Sequence, residues 1–211
     1  MGQKTLSTFE EVFARIDELI SSKAPRIIVG IVGKPGSGKS TLVKKIGKQY
    51  KVASLAIVPM DGYHLSNAIL KKLQLRDRKG APETFDALGF TALITRIKTE
   101  IENDIFYPIF HREIEESIAN EGVVIAGTKL IVVEGNYLLH DKNNWHGVAP
   151  TLDESWYVDI NEGKRINRLV ARHMKFGKSE EEARAWARGT DQVNAEIIGQ
   201  SMKHADFIIN L

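Results

Sequence analysis

Gly33-Lys-Pro-Gly-Ser-Gly-Lys39-Ser40 matches the pattern G-x-x-x-x-G-K-[ST] at every fixed position. Glycines at this spacing let the backbone curl so that successive N–H groups point at phosphate oxygens. A helix that follows adds the positive end of its dipole. The lysine of such a loop reaches the β- and γ-phosphates, and the hydroxyl beside it binds Mg²⁺. Here the motif lies between an apolar run, Arg26–Val32, and helical sequence from Lys39, the context in which the pattern forms a nucleotide site. Gly33, Lys34, Pro35, Gly36, Ser37, Gly38, Lys39, Ser40 and Thr41 are the expected ATP-binding residues, with Lys39 also catalytic. Glu134 directly follows the apolar run Leu130-Ile-Val-Val133. Strand ends meet at the ligand crevice of open α/β sheets, so Ser40 and Glu134 are the expected Mg²⁺ ligands.

The motif alone leaves motors, GTPases, transporters and kinases open. Pro59-Met-Asp61-Gly-Tyr63-His64 follows a second apolar run, Val52–Val58, and discriminates among them. A hydroxyl attacking phosphorus must shed a proton, and a positioned Asp can accept it. A phosphate acceptor is already ionised and needs no base. Asp61 therefore predicts an alcohol acceptor. Between Lys164 and Arg188 stand eight Lys or Arg residues against three acids, Glu180–Glu182. Arg165, Arg168 and Arg172 share a helical face, with Ile166, Leu169 and Val170 as its buried counterpart. Arginines on a closing segment stabilise the charge that spreads over a transferring phosphoryl group and help to exclude water. Arg168 and Arg172 are the expected lid residues, Arg172 the catalytic one. A guanine-type N-K-x-D, a transporter L-S-G-G-Q and any Cys/His cluster are missing from the sequence.

These segments resemble, in order and over residues 26–210, the phosphoribulokinase/uridine kinase/bacterial pantothenate kinase family. The likeness rests on the 33–40 motif, Met60-Asp61-Gly62-Tyr63-His64, Arg76-Asp-Arg-Lys-Gly-Ala-Pro-Glu-Thr-Phe-Asp86, Val133-Glu-Gly-Asn136 and the basic helix. Within the family the sequence is similar to small bacterial sugar or nucleoside kinases, some labelled fructose-transport-system kinases. The resemblance implies that Asp61 is the catalytic base, that Tyr63 and His64 border the acceptor, and that a 76–86 loop closes over it. Arg78, Glu83 and Asp86 would supply polar contacts there. Each has a plainer reading: Asp86 as a helix N-cap, His64 as a hydrogen-bonded histidine, Arg78 as a solvated loop charge. Tyr107-Pro-Ile-Phe-His111-Arg-Glu113 matches more loosely, since family members often carry Asp where His111 stands. His111 and Arg112 are carried over as acceptor-binding candidates. The implied activity is transfer of the γ-phosphate of ATP to a hydroxyl of a sugar, nucleoside or pantothenate-like metabolite. The alternative is a regulatory NTPase acting on a protein partner.

Positioning these residues requires strands that end together. Arg26–Val32, Val52–Val58, Leu130–Val133, Ser155–Ile160 and Phe207–Ile209 read as buried strands. Helical patterns fall at 39–50, 65–73, 87–101 and 163–204, the last interrupted near Gly177 and Gly189. At the start, Phe9, Val12, Phe13, Ile16, Leu19 and Ile20 recur at helical spacing, with Ser7 and Glu10 as a capping box. Strands alternating with helices predict an α/β fold of the P-loop NTPase class: a parallel five-stranded sheet with helices on both faces and a helical lid. The expected organisation is one domain over 1–211, with an N-terminal helix in 1–24, a core over 26–210 and a lid at about 163–190.

The 211 residues are 43% apolar and 27% charged, with 29 Lys+Arg against 27 Asp+Glu. That composition excludes collagen-like and charge-driven disordered chains. Cysteine is absent, which excludes disulfides, thiolate metal sites and Cys nucleophiles. A net charge of +2 argues against a nucleic-acid partner, including a polynucleotide acceptor. No run reaches the ~20 apolar residues of a membrane helix. Acids at Glu10, Glu11, Asp17 and Glu18 are incompatible with a secretory signal. The expectation is a cytoplasmic protein with a small hydroxyl-bearing substrate, and a homodimer is left open.

Overall fold

A computed structural model describes residues 3–50 and 54–211; Val52 and Ala53, the start of the second apolar run, lie outside the described residues. Ile27–Val32 (β2) is buried at every position, as a strand covered on both faces must be. Helix α1, Phe9–Ile20, precedes it and α2, Lys39–Gln49, follows. Then come β3 (Leu55–Pro59), α3 (Asn67–Lys72) and α4 (Ala87–Thr99). Strands β4 (Ile105–His111) and β5 (Glu116–Val124) form an antiparallel hairpin of their own. The chain closes with β6 (Leu130–Glu134), β7 (Glu154–Val158), α5 (Glu162–Lys175), α6 (Glu180–Arg188), α7 (Thr190–Gln200) and β8 (Phe207–Ile209).

The main sheet has six parallel strands rather than five, because Lys4–Leu6 (β1) adds an edge strand, giving the order β1-β8-β7-β2-β6-β3. This strand has only three residues, and two are exposed, so it leaves no apolar run to read. Period-two alternation divides the core. Ile28, Val32, Val58, Ile131, Val133 and Tyr157 face α4 through Phe90, Leu93, Ile94 and Ile97. Ile27, Val29, Ile31, Val132 and Trp156 face α1 and α2 through Val12, Ile16, Leu42, Val43 and Ile46. Helices on both faces satisfy a sheet that is apolar on both sides.

Two local expectations need correction. The capping box of α1 is Thr8 with Glu11, not Ser7 with Glu10: Thr8 is the extended residue, and its hydroxyl accepts from the Glu11 N–H at 3.1 Å. The hairpin is a further element, unforeseen because Pro108 interrupts the alternation of β4 and sits at the register shift between Tyr107 and Ile109. The long C-terminal helical region divides at Gly177, which takes a positive φ of 93°, and at Gly189. Leu169, Val170, Ala183 and Ala187 form a small separate core between α5 and α6.

Candidate active site

The C-terminal ends of β2, β6 and β3 open onto a cleft of about 1220 Å³. Its floor is the loop between β2 and α2. Gly38, the residue before α2, has a φ of 105°, and no side chain caps the helix, so its first N–H groups face the cleft for an anion to occupy. Gly36 also takes a left-handed φ of 80°; a Cβ there would meet the Arg165 carbonyl oxygen at 2.9 Å. Lys39 is buried, and its Nζ donates to the Gly33 carbonyl at 2.7 Å and the Lys34 carbonyl at 3.2 Å. Burial pulls its amine down to about 8 against the opposing pull of Glu134 and Asp61. Ser40 Oγ donates to Glu134 Oε1 at 2.9 Å, and burial raises the Glu134 carboxyl. A hydroxyl and a carboxylate this close, both on the cleft wall, are hard oxygen donors. They suit a magnesium ion that completes its shell with phosphate and water.

Asp61 lies in the 3₁₀ turn Met60–Tyr63 that ends β3, on the same wall as Lys39 and Glu134. Arg112, at the hairpin tip, faces it at 3.5 Å. His64 donates from Nδ1 to the Asp61 carbonyl at 2.9 Å and stacks on Phe110 with centroids 4.6 Å apart. Phe85 packs against it too, tilted, with centroids 3.9 Å apart. Burial among these rings lowers the His64 imidazole.

Of the expected phosphate residues, Pro35, Gly36, Gly38, Lys39, Ser40 and Thr41 line the cleft, while Gly33, Lys34 and Ser37 lie behind it. Lys34 instead pairs with Glu162 at 3.7 Å, and Ser37 is buried with its carbonyl accepting from Arg168 at 3.2 Å. Of the expected acceptor residues, His64 and Arg112 line the cleft. Tyr63 packs edge-on against Phe90, Arg78 pairs with Glu83 at 2.7 Å, and Asp86 caps α4 by accepting from the Gly89 N–H. His111 pairs with Glu121 across the hairpin.

The three arginines of α5 run along the phosphate loop, but they are not equivalent. Arg165 is fully buried and donates to the Pro35 carbonyl at 3.1 Å and to Glu162, so it belongs to the scaffold and not to an open lid face. Arg168 reaches the Ser37 carbonyl, and Arg172 is half-buried in the cleft, where Arg112, Asp191 and Asp61 are the charges it feels. Arg76, Lys79, Glu115, His173, Asp191 and Asn194 also line the cleft without having been singled out in the sequence. Their one legible signal was the polar 76–86 loop for the first two; the others become neighbours only by folding.

A glycine-rich loop at the switch of a parallel sheet, an acid at a neighbouring strand end and arginines on the helix beside the loop are the arrangement of a P-loop kinase. Residues 28–211 match the family model described as the phosphoribulokinase/uridine kinase family, and the chain belongs to that family. It is 28% identical over 214 residues to "Putative uridine kinase C227.14" of Schizosaccharomyces pombe, with 97% of this chain and 91% of that protein covered. It is 30% identical over 190 residues to YggC of Escherichia coli K12, covering 88% and 78%. A solved structure described as a putative fructose transport system kinase from Silicibacter sp. TM1040 superposes with a TM-score of 0.87 at 33% identity, covering 96% and 99%. YFH7 of Saccharomyces cerevisiae shares the fold, at a TM-score of 0.75 and 21% identity over 96% of this chain and 97% of that one. The protein is an ATP-dependent phosphotransferase acting on small molecules. Among the described residues, no helix is long and apolar enough to cross a membrane.

Proposed function

We propose that this kinase transfers the terminal phosphoryl group of ATP to a hydroxyl of a small metabolite, with Asp61 as the base. The observation that carries the reading is the placement of Asp61. It stands on the cleft wall with Lys39 and Glu134 and, among the described residues, is bridged only by an exposed arginine at 3.5 Å. A carboxylate there can take the proton of an attacking hydroxyl, whereas a phosphate acceptor would have no use for it.

The loop 33–41 and the start of α2 cradle the donor phosphates. Lys39, held by its own loop's carbonyls at 2.7 and 3.2 Å, exchanges those bonds for the β- and γ-oxygens. Ser40 and Glu134 would hold Mg²⁺, which supplies charge neutralisation between the β- and γ-phosphates. Arg168 and Arg172 stand on the lid side, where charge spreads over the equatorial oxygens. Arg112 and His64, with Phe85 and Phe110 behind it, form the acceptor wall. Aromatic faces beside a guanidinium suit a ring or carbon skeleton bearing polar groups, as sugars and nucleosides do.

The test is ADP release with Mg-ATP against panels of sugars, nucleosides and vitamin alcohols, followed by Asp61→Asn on the acceptor found. The expected loss in kcat is about 10²–10⁴-fold, with ATP affinity kept within about threefold. Full turnover by the variant would remove Asp61 as the base.

A further inference from the structure

Three polar side chains near the start of α7 attach to three different parts of the site. Asp191, 8% exposed, bonds His173 Nε2 at 2.6 Å, and His173 is the α5 residue next to Arg172. Gln192 accepts from Arg165, whose other terminal nitrogen donates to the Pro35 carbonyl of the phosphate loop. Asn194, 6% exposed, donates to the Gly80 carbonyl at 3.4 Å, at the bend of the 76–86 loop; the Tyr137 hydroxyl donates to the same oxygen at 2.7 Å. None of the three α7 residues has a part in the chemistry proposed above.

Buried polar groups persist where a bond satisfies them, and these bonds all leave α7 for the site. The apolar core joining α5 to α6 is small, made of Leu169, Val170, Ala183 and Ala187. On the phosphate-loop side α5 is held by Arg165 on the Pro35 carbonyl and Arg168 on the Ser37 carbonyl; on its other side the bonds from α7 to Arg165 and His173 complete the hold. Ala195 and Ile198 seat the same helix on the main body, giving it a fixed base.

We propose that α7 couples the donor loop to the acceptor loop. Asp191, Gln192 and Asn194 are positioning residues through which a nucleotide seated on residues 33–41 orders the Arg172 end of α5 and the Gly80 end of the 76–86 loop. The proposal rests on nucleotide binding at that loop and on no assumption about the acceptor.

Hydrogen exchange on the full chain, with and without Mg-ADP, tests it. Mg-ADP is expected to slow exchange at 34–42 directly, at 168–175 through both the bonds of α5 to the loop and the Asp191–His173 tie, and at 78–84 through α7, by about fivefold or more at the coupled segments. Asn194→Ala should bind Mg-ADP within about threefold of the unaltered protein yet lose the response at 78–84 while keeping it at 168–175. Asp191→Ala should weaken the response at 168–175, where the direct bonds of α5 to the loop remain, and keep it at 78–84. Val193→Ala, at an exposed position of the same helix, should change neither. If Asn194→Ala does not fold, Asn194→Asp keeps the shape while setting a carboxylate oxygen against the Gly80 carbonyl, and the same loss is expected. Absence of protection at 34–42 would overturn the nucleotide site, and the coupling with it. Protection at 34–42 without a response at 78–84 in the unaltered protein would overturn the coupling alone. So would a response retained by the Asn194 variants.

Discussion

Burial sets the charge balance of the residues nearest the cleft. It lowers the Lys39 amine, raises the Glu134 carboxyl and lowers the His64 imidazole. The first two groups face one another across a space made for phosphate and cation, where arriving charges oppose the desolvation. For His64 burial against Phe85 and Phe110 outweighs the opposing pull of the Asp61 charge and of its carbonyl, which accepts from Nδ1–H. With the folded-state value below the unfolded one, the unfolded chain binds the extra proton first. The stability held by neutral His64 is complete above about pH 6.5 and is lost as pH falls through the folded-state value. Urea denaturation at pH 8 and pH 5 should therefore show a smaller stability difference in His64→Gln than in the unaltered protein. An equal difference would mean that His64 titrates alike in both states.

At the scale of elements, the β4–β5 hairpin brings Phe110 and Arg112 to the cleft wall, and its seat is a backbone contact. A Cβ on Gly62 would stand 2.0 Å from the Pro108 carbonyl oxygen, and the Tyr107 hydroxyl pins the hairpin to the Ile57 carbonyl at 2.7 Å. Neither backbone can yield as a flexible side chain would. Gly62→Ala should cost about 2–3 kcal/mol in urea denaturation and should lower phosphotransfer more than nucleotide affinity, because it displaces Asp61 and Arg112 while leaving 33–41 in place. Unchanged stability would show that the hairpin can lift without consequence. Helix α5 works differently: positions 165, 168 and 172 lie on one stripe, yet the stripe descends from full burial to the cleft mouth. One stripe thus yields one scaffold arginine and two that can meet phosphate.

For the whole molecule, the sheet order separates stability from chemistry. The cleft sits at the ends of β2, β6 and β3, whereas β1 closes the opposite edge against β8. Gln3 ties that edge down by donating to the carbonyls of Met202 and Ala205. Deleting the first six residues should lower stability by about 1–3 kcal/mol and leave ATP affinity within about twofold, since the lost bonds lie strands away from the phosphate loop. Calorimetry on the truncated protein decides it: a comparable loss of ATP affinity would mean that the edge strand supports the site.

The sequence alone determined what is encoded locally. A phosphate loop needs glycines and a lysine at set spacing, and buried strands need unbroken apolar runs, so Gly33–Ser40, β2, β6 and β8 could be read from a few consecutive residues. Glu134 was legible for the same reason, as the first acid after such a run, and the structure puts it 2.9 Å from Ser40. What tertiary structure alone decided depends on partners far along the chain. The three residues of β1 are a strand only because β8 lies beside them, 200 residues away, and Pro108 sits in a hairpin because Gly62 leaves room for it. Spacing put Arg165, Arg168 and Arg172 on one helical face; packing against Pro35 buried the first, and the cleft received the last. Asp191, Gln192 and Asn194 carry no motif. Their proposed role appears only when folding sets α7 against Arg165, His173 and Gly80 at once, because a coupling between segments exists only where those segments meet.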